Sequence, residues 1–66
     1  MHWDDFIIGN WHEIAGKIKQ QWGKITDDDA LEIAGKREQL AAKLQKHYGH
    51  SKDEAEEHID DFLASL

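Results

Sequence analysis

Trp11, Ile14, Ala15, Ile18 and Trp22 stand at i, i+3, i+4, i+7 and i+11, which is the spacing of one apolar stripe along an α-helix. The same period returns in Arg37, Leu40, Ala41, Leu44 and Tyr48, and again in Ala55, Ile59, Phe62, Leu63 and Leu66. No segment shows the two-residue alternation of a half-buried strand. These stripes predict an all-α chain. At 66 residues it has room for one core only, since chains this short bury about 60% of the surface they expose when unfolded. That core has no covalent staple. The chain contains no cysteine, so a disulfide, a thiolate metal site and a thiol nucleophile are all excluded. No apolar run approaches the roughly 20 residues of a membrane span. The N-terminal Met1-His2-Trp3-Asp4-Asp5 is acidic and lacks an export pattern, which sets the expectation of a cytoplasmic protein.

Stop and start signals divide the chain. Asn10 is placed to cap a helix beginning at Trp11, and Gly23 after Trp22 fits a left-handed C-terminal cap. Thr26-Asp27-Asp28-Asp29 reads as a capping box with a short acid, and Ile25 before it can staple onto Ala30 or Leu31. Gly35 is read as a break, because glycine inside a helix costs about 1 kcal/mol relative to alanine. The next helix runs from Lys36 to Tyr48 and stops at Gly49. Ser51-Lys52-Asp53-Glu54 is a second capping box. Residues 1–9 are expected to form an apolar arm or a lead-in turn, and residues 10–66 a domain of four helices. Its expected core is Trp11, Ile14, Ile18, Trp22, Ile25, Leu31, Ile33, Leu40, Leu44, Tyr48, Ala55, Ile59 and Phe62. The stretch from Ile14 to Ala30 echoes that from Leu40 to Ala55: apolar, small, small, Lys, apolar, aromatic-Gly, hydroxyl, acid, Ala. Each half reads as a helical hairpin. Neither could bury its face alone, so the two are expected to pack on each other.

The residues that could carry chemistry have simpler structural roles. Asp27 to Asp29 sit at the positive end of a helix dipole and lack the spacing of a calcium loop, so they read as capping residues. Of the five histidines, His47 and His50 straddle Gly49 rather than sharing a helical face. Whether His12, His50 and His58 converge is open at this stage, and no metal is assigned. No nucleophile–base pair and no phosphate-cradling glycine loop are present, so an enzyme is not expected and no cofactor is implied. Lys17, Lys24, Lys36, Arg37 and Lys43 form a candidate basic face. The net charge of −6 opposes nucleic acid at long range, and i,i+4 pairing of Glu13 with Lys17 and Glu32 with Lys36 is the simpler reading. Trp3, Phe6, Ile7 and Ile8 are a candidate surface for a protein partner or for self-association, or else an arm packed on the bundle.

Asn10-Trp11, Gly16-Lys17, Gln21-Trp22-Gly23-Lys24, Ile25-Thr26-Asp27-Asp28-Asp29, Gly35-Lys36-Arg37, Gln39-Leu40, Tyr48-Gly49 and Ser51-Lys52-Asp53-Glu54-Ala55-Glu56 together resemble the CsbD-like family of small bacterial general-stress proteins. The resemblance runs from about Asn10 to Phe62. It implies two orthogonally packed helical hairpins, similar to the SAM-domain arrangement, and a role in general stress. It brings no catalytic residue and no cofactor. His12 stands where Lys is common in the family, Ala42 where Gly is common and His47 where Arg is frequent. The expected function is a non-enzymatic stress-response protein that binds a partner through its surface. The alternatives are a hydrophilic protectant with no specific partner and weak nucleic-acid contact through the basic face.

Overall fold

The computed structural model describes residues 3–66, with side chains from residue 5 onward. Five helices, rather than the expected four, follow one another among the described residues, and no strand is present there: α1 (Trp3–Gly9), α2 (Trp11–Gln21), α3 (Asp27–Ile33), α4 (Arg37–Tyr48) and α5 (Lys52–Ala64). The additional helix is α1, formed by the residues whose sequence fitted either an arm or a lead-in turn. Successive helical residues are about 100° apart. Ile7 therefore points inward and is fully buried, while Phe6 and Ile8 are left on the flanks.

Each helix packs chiefly on its neighbour in the chain, α1 on α2, α2 on α3, α3 on α4 and α4 on α5. One core joins them: Ile7, Ile14, Ile18, Trp22, Ile25, Ile33, Leu40, Ala41, Leu44, Ala55, Ile59 and Phe62. Six large aliphatic side chains, Ile7, Ile18, Ile33, Leu40, Leu44 and Ile59, are fully buried. Such a side chain contributes roughly 1.5–3 kcal/mol by leaving water. The Trp22 and Phe62 rings meet at 5.2 Å and a 49° tilt, closing the core between α2 and α5. Trp11 and Tyr48 are half-buried against it.

Leu31 does not join the core and is 75% exposed. The reason lies in helical geometry. Two residues apart is about 200° around the axis, so Leu31 cannot share the inward face that carries Ala30 and Ile33.

Both capping boxes form in full, Thr26 with Asp29 and Ser51 with Glu54. Gly49 ends α4 in the left-handed conformation at φ 71°. Two other expected caps differ. Asn10 occupies the N-cap position of α2 without a side-chain cap; its Nδ2 instead donates to the Phe6 carbonyl at 2.9 Å, tying off the end of α1. Gly23 is not left-handed, because Trp22 already leaves the helix in an extended conformation (φ −124°, ψ 92°). The chain turns from α3 to α4 through left-handed Ala34 (φ 48°) and Gly35 (φ 81°). Glycine is required at the second of these on two counts: its φ, and a Cβ that would stand 3.1 Å from Ile8 Cγ1. The α3–α4 corner is thus pressed against α1.

Candidate functional site

The candidate partner surface of Trp3, Phe6, Ile7 and Ile8 divides by position. The Trp3 side chain lies outside the described residues. Ile7 is an anchor in the core and offers nothing to a partner. Phe6 and Ile8 remain 40% and 57% exposed, one on each flank of α1. Phe6 borders a shallow groove of about 220 Å³ with Ile14, Lys17 and Leu66. Ile8 borders one of about 400 Å³ with Gly35, Arg37 and Glu56. Both flanks are held in place by the buried Ile7 between them.

The basic face is not a continuous free surface. Arg37 reaches across to α5, where Nε donates to Glu56 Oε1 at 2.9 Å and Nη2 to Asp60 Oδ1 at 2.7 Å and to the Glu56 carbonyl at 3.2 Å. Those carboxylates hold its pKa above the ordinary value against the opposing effect of burial. Lys43 is nearly buried between Asp29 and Glu32, and hydrogen bonds to Glu32 and then Asp29 raise its pKa. Glu32 thus pairs with Lys43 across the α3–α4 contact and not with Lys36. The Lys24 ammonium lies 5.1 Å from the centre of the Tyr48 ring, while its backbone N–H donates to the Tyr48 hydroxyl at 3.1 Å. Lys17 and Lys36 are exposed. Two of the five cations are therefore bound up with carboxylates of the protein itself.

Asp29 is the one buried charged residue among those described, at 8% exposure. Its Oδ2 accepts from the Thr26 backbone N–H at 3.1 Å and lies 2.8 Å from His47 Nε2, and its Oδ1 lies 3.2 Å from Lys43 Nζ. The Thr26 bond, with Lys43 and His47, holds its carboxyl far below the usual range, although burial acts in the other direction. Lys43 and His47 are one turn apart on α4 and so present a joint face to α3. That i,i+4 pair was visible in the sequence, but its carboxylate partner on another helix was not.

The histidines do not converge as a trio. The His50 and His58 rings pack 4.6 Å apart, with Tyr48 stacked on His50 at 5.8 Å, whereas His12 lines a different groove between α2 and α3. Among the described residues there is no group of three or more His, Cys, Asp or Glu side chains placed to hold a metal ion.

A small helical domain results, with most of its cross-helix charges engaged in holding the helices together and a few apolar side chains left at the surface. The CsbD-like family model matches residues 5–57, so the match begins within α1. The chain is 56% identical over 52 residues to the UPF0337 protein YjbJ of Escherichia coli O6:H1, covering 79% of this chain and 75% of that protein. It is 52% identical over 58 residues to a UPF0337 protein of Protochlamydia amoebophila, covering 88% of each, and 51% identical over 55 residues to one of Pectobacterium atrosepticum, covering 83% of this chain and 80% of that one. The chain belongs to the CsbD-like family, which is associated with the bacterial stress response. No described helix is long and apolar enough to cross a membrane.

Proposed function

We propose that this chain is a non-enzymatic, cytoplasmic stress-response protein that acts by binding a protein partner through the exposed flanks of α1. The observation that carries this reading is the split character of three consecutive residues. Ile7 is locked in the core, and that fixes Phe6 and Ile8 at the surface with their apolar area in contact with water. Large apolar side chains held rigidly at a surface contribute to binding at little further cost in conformational entropy. We also read α2–α3 and α4–α5 as two hairpins packed on one another, a reading supported by the contacts within each pair and by the packing of α3 on α4 between them.

The test replaces the flanks and spares the anchor. F6S/I8S should keep the helical circular dichroism of the wild type and melt above Ile7→Ala, since Phe6 and Ile8 are only partly packed. It should also lose the protein captured by the wild-type chain from stressed cells, and with it the chain's ability to restore stress survival to a deletion strain. Full survival with F6S/I8S at normal abundance would sink the proposal. Ile7→Ala is the contrasting variant: it leaves a cavity and should cost about 2–5 kcal/mol of stability.

A further inference from the structure

His50 and His58 differ from the other described histidines in being paired with each other. Their rings lie 4.6 Å apart at a 47° tilt, where the turn after α4 leads into α5. The sequence sets up the pairing. His50, Glu54 and His58 stand at i, i+4 and i+8, and residues four apart share one side of a helix. His50 precedes the Ser51 cap, so it lies just outside α5, and His58 lies inside it. Tyr48 stacks on His50 at 5.8 Å and 23°, which restricts that ring. His47 is engaged with Asp29, whereas no hydrogen bond or ion pair joins the His50 or His58 ring to another described residue. A neutral imidazole keeps one lone-pair nitrogen, so each ring has a donor to offer.

The separation of the rings has a chemical meaning. Two imidazoles on one ion, each with a metal–nitrogen bond of about 2.1 Å, bring their centres to roughly 4.5–5.3 Å at ordinary coordination angles. The observed 4.6 Å falls within that range. The surrounding charge favours a cation. The Glu54 carboxyl, held mainly by Ser51, also interacts with both His50 and His58. Asp53, Glu57 and Asp61 are exposed on the same helix. Imidazole donors select zinc, copper and nickel over magnesium and calcium. We propose that His50 and His58 form a two-histidine site for a divalent transition-metal ion of the zinc class, with water completing the coordination shell. Two protein ligands make an open site that exchanges its ion, unlike the closed four-ligand structural sites. The pair is half-buried at His50 and exposed at His58, so the ion has access from solvent. The site is separate from the α1 flanks, and either proposal can fail without the other.

The experiment is isothermal titration calorimetry of the full chain with Zn²⁺, paired with NMR of the histidine rings. All proteins carry His2→Gln, which removes a histidine outside the pair. One equivalent of Zn²⁺ should bind and shift the His50 and His58 ring signals together, and Mg²⁺ should not. His50→Gln and His58→Gln should each weaken Zn²⁺ binding by about tenfold or more while keeping the helical circular dichroism. His12→Gln and F6S/I8S should bind as the parent does. Absence of heat and of ring shifts at millimolar Zn²⁺ overturns the proposal. So does binding indifferent to both His50→Gln and His58→Gln, or a loss in His12→Gln as large as theirs.

Discussion

The two capping boxes have almost the same local geometry and very different surroundings. In both, the hydroxyl accepts the N–H three residues on at 3.1 Å, from Asp29 in α3 and from Glu54 in α5. In both, the acid accepts the N-cap N–H in return, at 3.1 Å for Asp29 and 2.8 Å for Glu54. Glu54 is exposed, and its carboxyl is held below the ordinary value mainly by Ser51, with a lesser effect of His50 and His58. Asp29 is buried and shared with α4 through Lys43 and His47. The α5 box starts a helix. The α3 box starts a helix and fixes a second helix to it, so one sequence motif yields either a local or a tertiary element depending on what crosses above it.

Asp29→Ala should give the largest effect. It removes the reciprocal cap, leaves Lys43 to Glu32 alone and strips His47 of its carboxylate. Its urea midpoint should fall by more than the two hydroxyl removals combined, and a fall no greater than that of Ser51→Ala would break the comparison. Acid should come next. Both carboxyls have folded-state pKa values below their unfolded ones, Asp29 by more. Their contribution is complete above the unfolded carboxylate pKa and is lost as pH falls below about 4 toward the folded values. Urea midpoints against pH should therefore drop steeply on the acid side in the wild type and in Glu54→Gln, and much less steeply in Asp29→Asn.

Thr26→Ala and Ser51→Ala should each cost about 1 kcal/mol. Near equality between them would place the difference between the boxes in the tertiary contacts and not in the caps. Glu54→Gln should be the smallest change, close to the wild type at neutral pH, because the amide oxygen still accepts the Ser51 N–H.

Much of this architecture was legible in the sequence because it is local. The two boxes, the Gly49 stop, the break at Gly35 and the stripes of α2, α4 and α5 each depend on residues within a few positions of one another. Hydrophobicity alone places Leu31 in the core, where the structure does not put it. Its 200° offset from Ile33 already separated the two, and α3 has only seven residues to define a face. Ile7 was harder to place, because a helix of seven residues flanked by Phe6 and Ile8 has no stripe to read. The ion pairs made by Arg37 and Lys43 within the candidate basic face are illegible in the sequence for a different reason. Arg37 meets its acids 19 and 23 residues away, and Lys43 meets Glu32 11 residues back on another helix. Pairings of that kind appear only once the helices have been packed. The groove at Leu31 has walls from two helices and so leaves no local signal in the sequence.

Packing between chain neighbours also bears on how the fold is reached. Each helix finds its main partner after closing a loop of only a few residues, so little chain entropy is lost before contacts form. Helical chains dominated by such short-range contacts refold in microseconds to milliseconds. A chain built this way is expected to regain its native state within milliseconds of a return to native conditions.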